Sequence, residues 1–287
     1  MEQLQEQIHR LEQKHLNELY SYIIQIFSNT SLPSHDAQHH LRVWLHCKEM
    51  IIELHRAGIE ITEELIECAI IACFFHDSGL TIDIGEMHGK HGGLICKEYY
   101  DEHPANKPSN FDAIIQSIEC HDDKSTKQAV ITNPQDMACL NRLVSTADDL
   151  DAIGIIGIFR YIEIYLKRGI AEGELPKKII ANLKNRFTSF TNTYSSLHHF
   201  ADKQKVHYLE TINFFSNLDS QIIQGTYNPD SELAVYKTLK EQLVEQENSI
   251  DATIAYAQKY STASYPTHFF CKLKKELDAT GVTTAII

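Results

Sequence analysis

Residues 62–77 read TEELIECAIIACFFHD. Thr62 followed by Glu63 and Glu64 suits a helix N-terminus, because a hydroxyl caps free backbone N–H groups and acids favour the positive end of the helix dipole. The run CAIIACFF (68–75) is apolar without a break, and His76-Asp77 ends it. The pattern predicts an apolar helix over 63–76. A polar pair at the end of such a helix needs a reason. If the helix stops there, both side chains turn toward one point.

The same reading extends in both directions. Leu4, Ile8, Leu11, His15, Leu19, Ile23 and Ile26 recur at helical spacing, so residues 2–28 read as one long amphipathic helix. Ser34 is a candidate N-cap for a helix over 35–57, closed by Gly58. Residues 77–87 read as a loop. Helices follow over 88–101, over 110–120 with Ser109 as cap, and from Asn133-Pro134 to about Asp148. Further helical patterns cover 155–168, 177–197, 201–218, 231–260 and 267–278. No convincing stretch of strand alternation appears, and 12 Gly and 7 Pro are few for a turn-rich β fold. The expected fold class is all-α.

Composition narrows the function. The chain has 287 residues, 43% hydrophobic and 23% charged, which is ordinary for a globular protein. A net charge of −13 argues against a nucleic-acid polymer or an anionic membrane as partner. A small anionic substrate stays open, because a bound metal reverses the local field. Seven Cys, an odd number without a C-x-x-C pair, read as reduced thiols and point to the cytoplasm. The charged start MEQLQEQIHRLEQKH is no signal peptide, and the longest apolar run is too short to span a membrane.

Histidine is unusual. Of 16 His, 12 fall at or before His121. Five short pieces stand out: HDAQHHLRV (35–43), FHD (75–77), HGKHGG (88–93), HDD (121–123) and ADDLD (147–151). Imidazole and carboxylate together suit Fe, Mn, Zn, Mg, Co or Ni, and a carboxylate can bridge two ions where an imidazole cannot.

The order H … HD … D, with the first His three residues before Arg42-Val43, resembles the HD-domain superfamily of metal-dependent phosphohydrolases. TADDLDAIGIIG (146–157), with Arg160 following, is similar to the closing motif of one bacterial branch. The resemblance covers about 31–168 and extends through HHFADKQKVHYLETINFFSNLD to about 218. It implies an HD-type helical bundle over 31–168, an N-terminal helix over 1–30 packed on it, and a C-terminal helical region over 169–287 in the same globule.

It also implies a site. His39, His76, Asp77 and Asp148 would hold a metal; His39 is preferred to His40 for its spacing to Arg42, and Asp148 to Asp149 because it follows Ala147. His88 and His121 would add a second ion bridged by Asp77, giving one or two divalent ions per chain. His91 competes with His88. Where the cyclic-dinucleotide branch has two adjacent His, this chain has His121 followed by Asp122. The implied activity is hydrolysis of a small phosphorylated, nucleotide-like substrate by metal-activated water. Asp77 would act in catalysis, with His121 or Asp122 serving the leaving group. Arg42 and Lys124 are candidates for the substrate phosphate; for Arg42 an ion pair with a helix acid is the competing role. Asp151 and Arg160 are expected to pair or to orient ligands. His35 shares a helix face with His39, either beside the ligands or at the surface. His40 is expected to face away from the metal, and Gly92, Gly93, Gly154 and Gly157 to permit close helix packing.

Two other functions share these residues. One is a di-iron oxygenase of the myo-inositol oxygenase type. The other is a metal- or nucleotide-binding regulator without turnover. A homodimer through the long N-terminal helix is a further expectation.

Overall fold

A computed structural model describes residues 1–123, 131 and 133–279; Lys124 lies outside the described residues. The fold is all-α, with twelve α-helices and no strand among the described residues. The helices are α1 (Glu2–Phe27), α2 (Ala37–Arg56), α3 (Glu63–Phe75), α4 (His88–Glu102), α5 (Phe111–Glu119) and α6 (Leu140–Asp151). They continue as α7 (Gly154–Lys167), α8 (Leu175–Tyr194), α9 (His198–Gln224), α10 (Glu232–Leu239), α11 (Ile250–Tyr260) and α12 (Ser264–Ala279).

The apolar stretch that ends in His76-Asp77 is the central helix. Thr62 Oγ1 caps α3 by accepting from Leu65 N at 3.2 Å. Every residue from Cys68 to Phe75 is buried, which is why the sequence shows no polar face there. Helices α1, α2, α5 and α6 pack around it. Helix α1 is apolar on one side only and lays Leu4, Ile8, Leu11, Leu19 and Ile23 onto that core. Helix α6 packs along α2, and α9 lies against α7 and α8. No helix is long and apolar enough to cross a membrane.

Several element boundaries differ from expectation, each for a local reason. Helix α2 is capped by Asp36, not Ser34: the Asp36 carboxylate accepts from Gln38 N and His39 N. Ser109 caps nothing, and its hydroxyl donates to Glu64 instead. Asn133 does cap a turn with Pro134 at its first position, but the turn is a short 3-10 helix ending at Ala138. Extended backbone at Cys139 separates it from α6. The single helix expected over 231–260 is three pieces, α10, a π-helical turn Lys240–Glu245, and α11. Glu247 is left-handed with φ 53°, and Ser249 recaps α11 through Ala252 N. Apolar periodicity continues across that break and hides it.

One packing contact sets how close the site helices come. Gly79, in the 3-10 turn Ser78–Thr81 after α3, faces the first turn of α4. A Cβ there would lie 2.0 Å from the His88 carbonyl oxygen and 2.6 Å from Gly92 N. Gly92 in turn faces the end of α3, where a Cβ would come within 2.8 Å of Phe75 O. The backbones of α3 and α4 therefore touch.

Glu163 of α7 is fully buried and ties α7 to the start of α2. Its Oε2 accepts from Ser34 N at 2.8 Å, while Oε1 has no hydrogen-bond partner among the described residues. Burial pushes its carboxyl up from 4.5 to about 7, against the opposing pull of the Ser34 bonds and Lys167. Below pH 4.5 the group is protonated whether folded or unfolded. Between pH 4.5 and 7 the unfolded chain ionises while the folded chain keeps its proton, so stability falls as pH rises. The whole difference is roughly 3 kcal/mol. Glu163→Gln is expected to flatten this part of the Tm-versus-pH curve and to raise Tm at pH 8 by on the order of 5 °C. Parallel curves for the two proteins would show that Glu163 ionises without cost.

Candidate metal centre

Three imidazoles are aimed by the same local device. His76 follows the last residue of α3, and its Nδ1 is 2.8 Å from Cys73 O. His121 lies just past the end of α5, with Nδ1 2.7 Å from Ile118 O. His88 opens α4, with Nδ1 2.6 Å from Gly85 O. In each case the acceptor is the carbonyl three residues back. A carbonyl only accepts, so Nδ1 carries a proton and Nε2 is the nitrogen left for an ion or a second proton.

His39, on the first turns of α2, reaches the same state from a distance. Its Nδ1 lies 2.8 Å from Asp151 Oδ2 at the end of α6. Asp151 is itself held by Arg42, whose Nε and Nη2 donate at 2.7 and 3.0 Å. Burial would raise the Asp151 carboxyl, but Arg42, Arg160 and His39 hold it well below the usual range.

The four Nε2 atoms converge on Asp77. Its Oδ2 is 3.3 Å from His39 Nε2 and 3.4 Å from His76 Nε2; Asp148 Oδ1 closes this group at 3.7 and 3.8 Å from the same two nitrogens. Its Oδ1 is 3.4 Å from His88 Nε2 and 3.2 Å from His121 Nε2. Within each pair the Nε2 atoms stand 3.2 Å (His39–His76) and 3.3 Å (His88–His121) apart. Ligands about 2.1 Å from a shared ion are about 3.0 Å apart in an octahedron and about 3.4 Å in a tetrahedron. The imidazole and Asp77 spacings match that range in two groups, each with one Asp77 oxygen, and Asp148 stands slightly wider. All six residues are buried.

Electrostatics agree. Nitrogen lone pairs and carboxylate oxygens packed this closely repel unless a cation lies among them. Burial alone would depress His76, yet Asp77 and Asp148 hold it up at about 10. Burial alone would raise Asp77 and Asp148; the imidazoles, joined at Asp148 by Arg186 and Arg160, hold both well below the usual carboxylate range. The cluster thus takes up a proton when no other cation is there, and metal binding must displace it.

The centre forms one end of a cavity of about 330 Å³ that Asp77, His88, His121 and Asp148 help to line. That volume lies at the lower end for small-molecule sites. Asp122 also lines it. Arg42 does not: of its two expected roles the geometry shows the ion pair, with its buried guanidinium bonded to Asp151. His35 is buried on the cavity wall, with Nδ1 2.7 Å from Ser34 Oγ and Nε2 3.9 Å from Asp77 Oδ2. His91 joins neither ligand group. His40 is fully buried against the rings of Phe27, His39 and His76, and neither of its nitrogens has a hydrogen-bond partner among the described residues. Asp151 and Arg160 do pair, at 3.1 Å, and a second nitrogen of Arg160 is 3.3 Å from Asp148.

The far wall was not legible in the sequence. Helix α8 contributes Asn182 and Arg186, and α7 contributes Tyr161, Tyr165 and, just past its end, Arg168. Arg186 Nη1 is 2.9 Å from Asp149 Oδ1 and 3.6 Å from Asp148 Oδ2. Asn182 is held between two phenols, accepting from Tyr161 and donating to Tyr165. Only the second acid of Asp148-Asp149 hinted that a cation must face this turn.

Comparison with protein-family models, with curated proteins and with solved structures yields no match.

The contact at Gly79 offers a test of the second position. Gly79→Ala must push α4 away, at about 1–3 kcal/mol, and take His88 from Asp77. Metal content per folded chain is expected to fall below that of the unsubstituted chain. Unchanged metal content would show that His88 is not a ligand.

Proposed function

We propose that the chain is a metal-dependent phosphohydrolase of the HD type, acting on a small phosphorylated substrate, nucleotide-like in size. The observation that carries this reading is the split of Asp77 between two pairs of imidazoles, in a cavity whose wall bears three arginines. The residue order H … HD … H … H … D, which resembles that superfamily, supports it.

Divalent ions held there supply an activated water and polarise the phosphoryl oxygens. The residues of the chain do the rest. His39, His76 and Asp148 would hold one ion and His88 and His121 another, with Asp77 facing both groups. That arrangement would commit His121 as a ligand. Arg186, beside Asp148 on the cavity wall, receives the non-bridging phosphoryl oxygens, since guanidinium matches phosphate in shape and charge, while Arg160 is taken up by Ser34, His39, Asp148 and Asp151. Asp122 and His35 adjoin the ligands on the cavity wall and position the leaving oxygen, which takes its proton from water. Burial, with Arg160 beside it, holds His35 well below its usual pKa, so its imidazole rests neutral.

A two-position centre equally suits a di-iron oxygenase, and oxygen dependence separates the two readings. Protein prepared without chelator or nickel resin is expected to carry about two divalent ions by elemental mass spectrometry. It should then hydrolyse p-nitrophenyl phosphate or a member of a nucleotide and sugar-phosphate panel equally well with and without air. Asp77→Ala is expected to lose the metal and at least about a hundredfold in rate. Turnover that needs O2 would replace hydrolysis by oxygenation. Full metal loading with no turnover of any phosphorylated compound would leave a binding protein.

A further inference from the structure

Three guanidinium groups face the cavity, and they differ in what already neutralises them. Arg160 pairs with Asp148 and Asp151. Arg186 pairs with Asp149 and Asp148. Arg168 forms no ion pair with a carboxylate among the described residues; its Nε donates to Ile84 O at 2.8 Å. That single bond uses one of five N–H groups and sets the plane of the guanidinium, leaving its Nη atoms for another acceptor. Arg168 is also the C-terminal cap of α7, where the helix dipole favours a cation without neutralising it.

Its position is also informative. Arg168 is solvent-exposed and lines the cavity, so it stands at the mouth, whereas the buried ligands stand at the inner end. Ile84 belongs to the segment between the 3-10 turn and α4. The next two residues, Gly85 and Glu86, line the same cavity, and Gly85 O is the acceptor that aims His88. One short segment thus connects the cation at the mouth to a ligand of the centre.

We propose that Arg168 is a second anion subsite, and that the substrate is a small molecule with two separate anionic groups. The first is the phosphoryl group that reacts at the metal centre. The second is a phosphate or carboxylate bound by the Nη edge of Arg168. This rests on the phosphohydrolase reading, and it adds a charge requirement at the far end of the substrate. Arg168 selects the substrate and touches no reacting atom.

The test is calorimetric binding to the full chain loaded with Mn2+. The probes are methylphosphonate, alkane bisphosphonates with two to six carbons between the phosphorus atoms, and the matching phosphonocarboxylates. For at least one chain length the doubly anionic probe is expected to bind about tenfold or more tightly than methylphosphonate. A preference for the bisphosphonate identifies the second group as phosphate, and an equal preference for the phosphonocarboxylate allows a carboxylate. In Arg168→Gln the ratio of the two affinities is expected to fall to near one. Arg168→Lys, which keeps the charge but not the fork, should retain part of it. The proposal is overturned if no length is preferred by the wild-type chain, or if Arg168→Gln weakens both probe types alike and leaves the ratio intact. Binding of methylphosphonate without any preference overturns this subsite alone. Binding of no phosphonate at all removes the phosphohydrolase reading and the subsite together.

Discussion

A buried carboxylate shared between two pairs of imidazoles is the constraint around which this molecule is arranged. Asp77 offers one oxygen to His39 and His76 and the other to His88 and His121. To bring four nitrogens this close, the first turns of α2, the end of α3, the start of α4 and the end of α5 must meet at one point. Backbone contact at Gly79 and Gly92 is the geometric consequence. Side chains between α3 and α4 would hold the helices too far apart for one carboxylate to reach both pairs. The same closeness is unfavourable without positive charge, which ties the packing of the helices to the binding of a cation.

Around the centre lies a ring of paired charges. Asp151 receives Arg42, Arg160 and His39, linking α2, α6 and α7. Arg160 Nε also donates to Ser34 O, and Ser34 N donates to Glu163. Such buried pairs add little net stability, because desolvation offsets most of their attraction. Their effect is positional. They hold the His39 ring in one orientation and fix α7, whose outer face becomes the cavity wall. Carboxylates that neutralise Arg160 and Arg186 at the inner end leave Arg168 as the cation with charge to spare at the mouth.

The helices themselves were largely legible, since a 3.6-residue apolar period reports burial of one face wherever a helix lies on a core. It misled where periodicity ran through a break. Residues 231–260 keep apolar spacing while the backbone turns at Glu247 and restarts at Ser249. Residues 134–148 begin with a valid cap, yet the chain straightens at Cys139 before α6. At Ser34 and Ser109 a plausible capping residue lost to a neighbour placed better to reach the free N–H groups, or bonded elsewhere. The six residues of the candidate centre were legible as types in an order. Arg42 was not legible in its role, and Arg186, Asn182 and Arg168 were not legible at all, because nothing in α8 or at the end of α7 departs from an ordinary amphipathic pattern.

What the sequence determined alone is local: an all-α chain, the ends of α3 and α5, and the kinds of group gathered there. It also contained the aim of three imidazoles, because each Nδ1 bonds a carbonyl only three residues away, at Cys73, Gly85 and Ile118. Hydrogen bonds of that range form with the helix end itself. Tertiary structure decided the rest. The pairing of Arg42 with Asp151 spans 109 positions of sequence, that of His39 with Asp151 spans 112, and the cavity wall comes from helices that no motif marks. Such contacts follow from how whole helices pack, and packing is set by the summed fit of many side chains rather than by any short stretch of them.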